Sequence, residues 1–166
     1  FIWNIYCDWY LELAKPVLYN DACGEAEKRG TRRTLVRVLE TLLRLAHPFI
    51  PFITEEIWQR VAPLACKSGD SLMLAAWPVP DDSKRDPQAE ADVAWLKLVI
   101  TGIRNIRGEM AISPARQIEV YLHNGNASDR ARIDANRDFL CRLAKLDNIT
   151  WLEADDSAPA SATALA

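Results

Sequence analysis

Two adjacent carboxylates, Glu55 and Glu56, and two histidines, His47 and His123, are the residues with the most obvious acid–base potential. General acid–base catalysis needs such groups to converge on one reacting centre. Helix neighbours one position apart do not face each other, so Glu55 and Glu56 read as a solvated first turn. His47 precedes Pro48 and reads as the C-terminal cap of a helix. The four cysteines, at 7, 23, 66 and 141, contain no Cys-x-x-Cys pair, and with two distant histidines they supply no zinc ligand set. They read as reduced thiols partly in the core. No Gly-rich phosphate loop follows a strand, and no Gly-x-Ser-x-Gly occurs. Catalytic residues and metal ligands are therefore both expected to be none. Basic side chains do gather, in Lys28, Arg29, Arg32, Arg33 and Arg37 and again in Arg104, Arg107 and Arg116. Such clusters suit an anionic partner met locally.

Helices must position most of these groups. Residues 1–19 carry two apolar stripes at helical spacing, Ile2, Ile5, Trp9, Leu13 and Trp3, Tyr6, Tyr10, Leu13, Val17. Pro16 should kink or end that helix. Residues 20–30, bracketed by glycines, read as a loop. Residues 31–47 form the clearest helix, with Leu35, Val38, Leu39, Leu42, Leu45 and Ala46 inward and Arg33, Arg37, Glu40 and Arg44 in water. Thr54 reads as the N-cap of a short helix to about 62, with Ile53 and Trp58 as a staple across it. Residues 63–86, with Pro63, Pro78 and Pro80, read as a surface linker.

Asp86-Pro87 starts a further helix with the stripe Leu96, Val99, Ile103 and Ile106, ended by Gly108. Residues 117–123 alternate as a strand, Asn124-Gly125 turns, Ser128 caps a helix carrying Phe139, Leu140 and Leu143, and 149–152 form a second strand. A strand–helix–strand unit of this kind is usually parallel. The fold class is thus mainly α: a helical bundle over 1–80, including the linker from about 63, then a small α/β unit with a two-stranded sheet over 86–153. An acidic, Ala/Ser-rich tail, 154–166, is expected to be disordered.

The whole chain of 166 residues carries 20 basic and 23 acidic side chains, a net charge of −3, so it is not a uniformly basic body. The segment 104–145 nevertheless holds 8 basic against 5 acidic residues, and 146–166 holds 4 acidic and no basic ones. No run of about 18 uncharged apolar residues offers a membrane span, and the first residues, with Asp8 and Glu12 in place of a basic flank and an apolar stretch, do not read as a secretory signal. Opening at Phe1 inside a helical pattern, the chain reads as a piece of a longer, cytoplasmic protein.

Two stretches carry a family resemblance. Residues 7–15 (Cys-Asp-Trp-Tyr-Leu-Glu-Leu-Ala-Lys) and 46–59 (Ala-His-Pro-Phe-Ile-Pro-Phe-Ile-Thr-Glu-Glu-Ile-Trp-Gln) resemble the two motifs of the anticodon-binding bundle of class I aminoacyl-tRNA synthetases. Ala75-Ala76-Trp77-Pro78 and Ile103-Arg104-Asn105-Ile106-Arg107-Gly108-Glu109-Met110 are more similar to the valyl branch, of bacterial type, than to the leucyl or isoleucyl ones. The resemblance covers residues 1–122. It implies tRNA of the valine isoacceptors as partner, together with the rest of the parent synthetase. It also implies ATP as cofactor of the parent and none for this chain, whose sequence lacks the family's nucleotide-binding signatures. Bases stacked on aromatics and phosphates held by Arg and Lys are what RNA recognition needs. The resemblance therefore nominates Tyr6, Tyr10, Lys15, Arg32, Arg33, Arg37, Arg104 and Arg107. For Tyr6 a core role stays open beside stacking, for Arg104 and Arg107 pairing with a helix C-terminus, and for Arg32, Arg33 and Arg37 a solvated face. A helical protein–protein interaction domain and the leucyl branch are the alternatives.

Overall fold

In the computed structural model, residues 1–153, 156–157 and 159–164 are described. The chain divides into two units, Phe1–Lys84 and Arg85–Ala166.

The first unit opens with a π-helical segment, Ile2–Tyr10, that runs directly into α1, Leu11–Leu18. The widened turns are visible where Tyr6 N–H donates to the Phe1 carbonyl at 3.2 Å, five residues back instead of four. Pro16 lies inside α1 and does not end it. It sits in the last turn, where only one donor is missing and the Tyr19 N–H still reaches the Lys15 carbonyl at 3.0 Å.

Helix α2 spans Glu25–Ala46, starting six residues before the expected position. Gly24 is extended at its N-cap, and Glu25 and Glu27 occupy the first turn, where the helix dipole favours acids. Gly30 is therefore helical, not part of a loop. Leu42 and Leu43 are buried, while Leu45, expected inward, is exposed. Glu40, expected in water, is only 3% exposed. Trp58 Nε1 donates to it at 3.0 Å and Arg44 Nη2 at 2.8 Å. The other end of Arg44 donates to the Ala76 carbonyl at 2.8 Å. A buried carboxylate needs such partners; Arg44 stands one helical turn away, while Trp58 arrives from eighteen residues on.

Helix α3, Pro51–Val61, begins at Pro51 with Ile50 as cap residue, not at Thr54. Thr54 is buried, and its hydroxyl donates to the Ile50 carbonyl at 2.8 Å. Its oxygen lies 2.9 Å from His47 Nδ1, which ties the end of α2 to the start of α3. No staple forms across this start, because Ile53 is exposed while Trp58 is buried. Glu55 is not a free first-turn acid either. It accepts from the Leu72 N–H at 2.9 Å, Ser71 Oγ at 3.0 Å and Gln59 Nε2 at 2.7 Å. These bonds, that from Gln59 foremost, hold its pKa below the ordinary value. They seat Leu72 in the core with Leu43, Trp58 and Ala62, so the expected linker contributes to the core.

In the second unit, α4 spans Pro87–Glu109, and the Asp86 side chain accepts from the Gln88 and Ala89 N–H groups at 3.1 and 3.0 Å. Leu96, Val99, Ile100 and Ile103 are buried. The helix passes Gly108, and Ala111, at φ 48°, makes the left-handed reversal instead. Strand β1, Ile118–Leu122, pairs in parallel with β2, Leu146–Trp151, in the register Val120↔Ile149 and Tyr121↔Thr150. Between them runs α5, Ala127–Ala144, capped by Asn126 in a reciprocal box with Asp129, two residues before the expected Ser128. Gly125 packs beneath Trp151, so closely that a Cβ there would lie 2.3 Å from the indole ring. Ile133, Leu140 and Ile149 form the interior. Of the tail expected to be disordered, residues 154, 155, 158, 165 and 166 lie outside the described residues, and Ala160–Ala164 line a groove with β1.

Candidate nucleic-acid interface

Helix α2 carries basic residues at a four-residue interval: Arg29, Arg33 and Arg37, all exposed. That spacing places them on one face, along about 12 Å at 1.5 Å rise per residue. None of the three guanidinium groups has a hydrogen bond or ion pair among the described residues. Arg32 lies off this ridge and pairs loosely with Glu25 at 3.9 Å. Lys15 pairs with Glu12 one turn away and is exposed. Both remain reachable, with an acid in attendance.

The two tyrosines are placed differently. Tyr6 is 6% exposed and its hydroxyl donates to the Leu35 carbonyl at 3.1 Å. Burial raises its pKa, with Tyr10 adding to the effect. Its ring face is closed to a base, so the core role holds and the stacking role is withdrawn. Tyr10 is half-buried, its centroid 5.9 Å from that of Tyr6 with the planes at 39°. Burial raises its pKa too, while the Thr34 hydroxyl lowers it. Thr34 follows Arg33 directly, so Tyr10 flanks the basic ridge. Freely exposed rings include Phe1, Trp3, Tyr19, Phe49 and Phe52, the last 90% exposed. Trp3 and Phe49 line a groove of about 1090 Å³ with Arg37 and Lys84.

In the second unit the two nominated arginines part company. Arg104 is exposed, with Nη2 3.5 Å from the Leu143 carbonyl. Arg107 is 8% exposed, and its Nη2 donates to the Ser113 and Arg116 carbonyls at 2.7 and 2.6 Å. It is thus neither a surface phosphate ligand nor a partner of its own helix end, because it pins the segment between α4 and β1. Among the described residues no group of three or more His, Cys, Asp or Glu side chains is placed to hold a metal ion. No described helix is long and apolar enough to cross a membrane.

A family model for the anticodon-binding domain of tRNA ligase matches residues 1–122. The chain belongs to this family. The partner of such an anticodon-binding domain is tRNA, and its role is recognition of the anticodon arm. The ridge on α2 lies inside the matched region and has the chemistry that a phosphodiester backbone requires: exposed guanidinium groups with no partner among the described residues. Arg29 stands in the basic cluster of the sequence but is not among the residues nominated there as tRNA contacts. Its signal was present, since it stands four residues before Arg33, but the helix start expected at 31 left it in a loop.

Proposed function

We propose that this chain is the tRNA-recognition portion of a valine-tRNA ligase of the cytoplasm. It would position valine isoacceptors for ATP-dependent aminoacylation carried out by other parts of the parent enzyme. The ridge of Arg29, Arg33 and Arg37 is the observation that carries the binding function, with Tyr10, Lys15, Arg32 and Arg104 as further contacts. Guanidinium groups at this spacing take backbone phosphates and fix the register of the RNA, leaving the bases to be read beside them. Support for the valyl branch comes from the Ala75-Ala76-Trp77-Pro78 and Arg104–Met110 stretches. No adenylate chemistry is assigned to this chain.

The test is a direct binding titration with valine, leucine and isoleucine tRNA transcripts at matched salt. The proposal expects the valine transcript to bind at least tenfold more tightly than the others, a difference of about 1.4 kcal/mol. Equal affinity for all three would remove the valine assignment and leave general tRNA binding. Pyrophosphate exchange with valine and ATP should stay at background.

A further inference from the structure

The two-stranded sheet leaves one long side of β1 open. Its residues alternate, Ile118, Val120 and Leu122 apolar against Glu119 and Tyr121 polar, the pattern of a half-buried strand. The Ile118 N–H donates to the Lys145 carbonyl at 3.4 Å, and the Leu122 carbonyl accepts from the Leu152 N–H at 2.8 Å. Ile118, Val120 and Leu122 therefore turn their backbone groups toward β2, because the N–H and C=O of one residue in a parallel ladder point to the same side. Glu119 and Tyr121 turn theirs the other way, where no backbone partner meets them among the described residues. An unpaired row of this kind is a template for a further strand.

Beside the open edge lies a cavity of about 650 Å³ between β1 and α4. Ile103 and Ile106 of α4 and Val120 and Leu122 of β1 line it, and all but Ile103 are partly exposed. Its charged lining is mixed, Arg116 against Glu119, so it lacks the run of cations that a nucleic-acid backbone requires. The chain's own Ala160–Ala164 also lines this cavity. That segment is exposed throughout, is neither helix nor strand, and makes no backbone bond to β1 among the described residues. Its side chains are those of Ala, Ser and Thr. They are too small to fill an apolar space of this size to the density of a packed interior.

We propose that the open edge of β1 and this cavity take an extended segment of a protein partner as a third strand. The backbone groups of Glu119 and Tyr121 supply the pairing, and side chains of the incoming segment fill the space over Ile106, Val120 and Leu122. Side chains alternate across a strand, so the segment carries branched apolar residues at every second position. Ala160–Ala164 is a placeholder that the partner displaces. The assignment is independent of the tRNA reading and uses none of the residues of the α2 ridge.

The experiment uses the whole chain, isotope-labelled for nuclear magnetic resonance, and the peptide acetyl-Lys-Val-Thr-Val-Thr-Val-Lys-amide as probe. On titration the Glu119 and Tyr121 amides should gain protection from hydrogen exchange, while that of Val120, already turned to β2, keeps its rate. The signals of Ala160–Ala164 should move to those of a free chain. Two further probes are N-methylated, one at the valines and one at the threonines. One of the two loses the donors that face β1 and should bind at least about tenfold more weakly than the parent peptide. A peptide with serine in place of valine should bind as weakly. Tyr121→Pro removes an outward N–H at an edge position, where proline is tolerated, and should lower affinity as well. Undiminished binding of both methylated probes would overturn strand addition, and this readout leaves the protein itself unaltered. Equal binding of the serine peptide would overturn the apolar occupant, and unmoved Ala160–Ala164 signals at saturation would overturn the placeholder. Doubling of the chain's mass on concentration, with the Glu119 and Tyr121 amides protected, would assign the edge to a second copy and overturn the foreign partner. No binding of the parent peptide at millimolar concentration would overturn the proposal as a whole.

Discussion

The same residue type serves opposite ends in the two units. On α2, Arg29, Arg33 and Arg37 stand in solvent with no partner among the described residues. On α4, Arg107 is swallowed, its guanidinium spent largely on the Ser113 and Arg116 carbonyls. Both sets look alike in sequence, as arginines spaced on a helix. What separates them is the supply of acceptors after folding. Among the described residues the guanidinium groups on this face of α2 reach no acceptor, whereas the reversal after α4 brings the Ser113 and Arg116 carbonyls to Arg107. A charge cluster therefore announces an anionic partner only where the fold leaves its donors unused.

That contrast breaks most visibly at Arg107. Replacing it with Ala removes two charge-assisted bonds and strands two carbonyls, for about 3 kcal/mol of destabilisation. Urea denaturation followed by a probe in the second unit checks this; a loss no larger than that of Arg33→Ala, within about 0.5 kcal/mol, would make the two arginines equivalent. Next in size is Gly125→Ala. The Cβ would meet Trp151 at 2.3 Å, and relieving that overlap by moving a packed indole costs about 1–3 kcal/mol. A shift in near-ultraviolet circular dichroism from the tryptophan should accompany the lower melting point.

Elements whose signals are local were readable from the residues alone. Asp86-Pro87 starts α4 because a cap and a preset φ act within three residues, and the alternation of Ile118, Val120 and Leu122 gave a strand for the same reason. The parallel pairing followed from the intervening helix. Glu40, Glu55 and Leu72 read differently in the fold because partners of each lie far away in sequence, Trp58, Ser71 and Leu43, and Thr54 because α3 already starts at Pro51. Of the interface, the basic cluster on α2 was legible as composition. Its unpaired ridge and the burial of Tyr6 depend on the folded chain.

A smaller effect tests how the first unit holds the segment after α3. Glu55 has a folded pKa below its ordinary value of 4.5. Its contribution is therefore complete above that value and is lost as pH falls through the lower folded one. The melting-point difference between wild type and Glu55→Gln should be constant at neutral pH and narrow on acidification below 4.5. A difference that widens instead would mean that the carboxylate opposes the fold.

The smallest expected change in stability belongs to the residues proposed to carry binding. Arg29, Arg33 and Arg37 replaced together by Ala should leave the melting curve almost unmoved, each exposed substitution lying within about 0.5 kcal/mol. The same triple variant, titrated with a tRNA transcript across a range of salt, tests the central claim directly. If the ridge grips phosphates, the slope of log affinity against log salt should become shallower by about 2–3 units, at about 0.7–0.9 per lost contact. An unchanged slope, with a normal melting curve, would contradict the account and return the ridge to a solvated helix face.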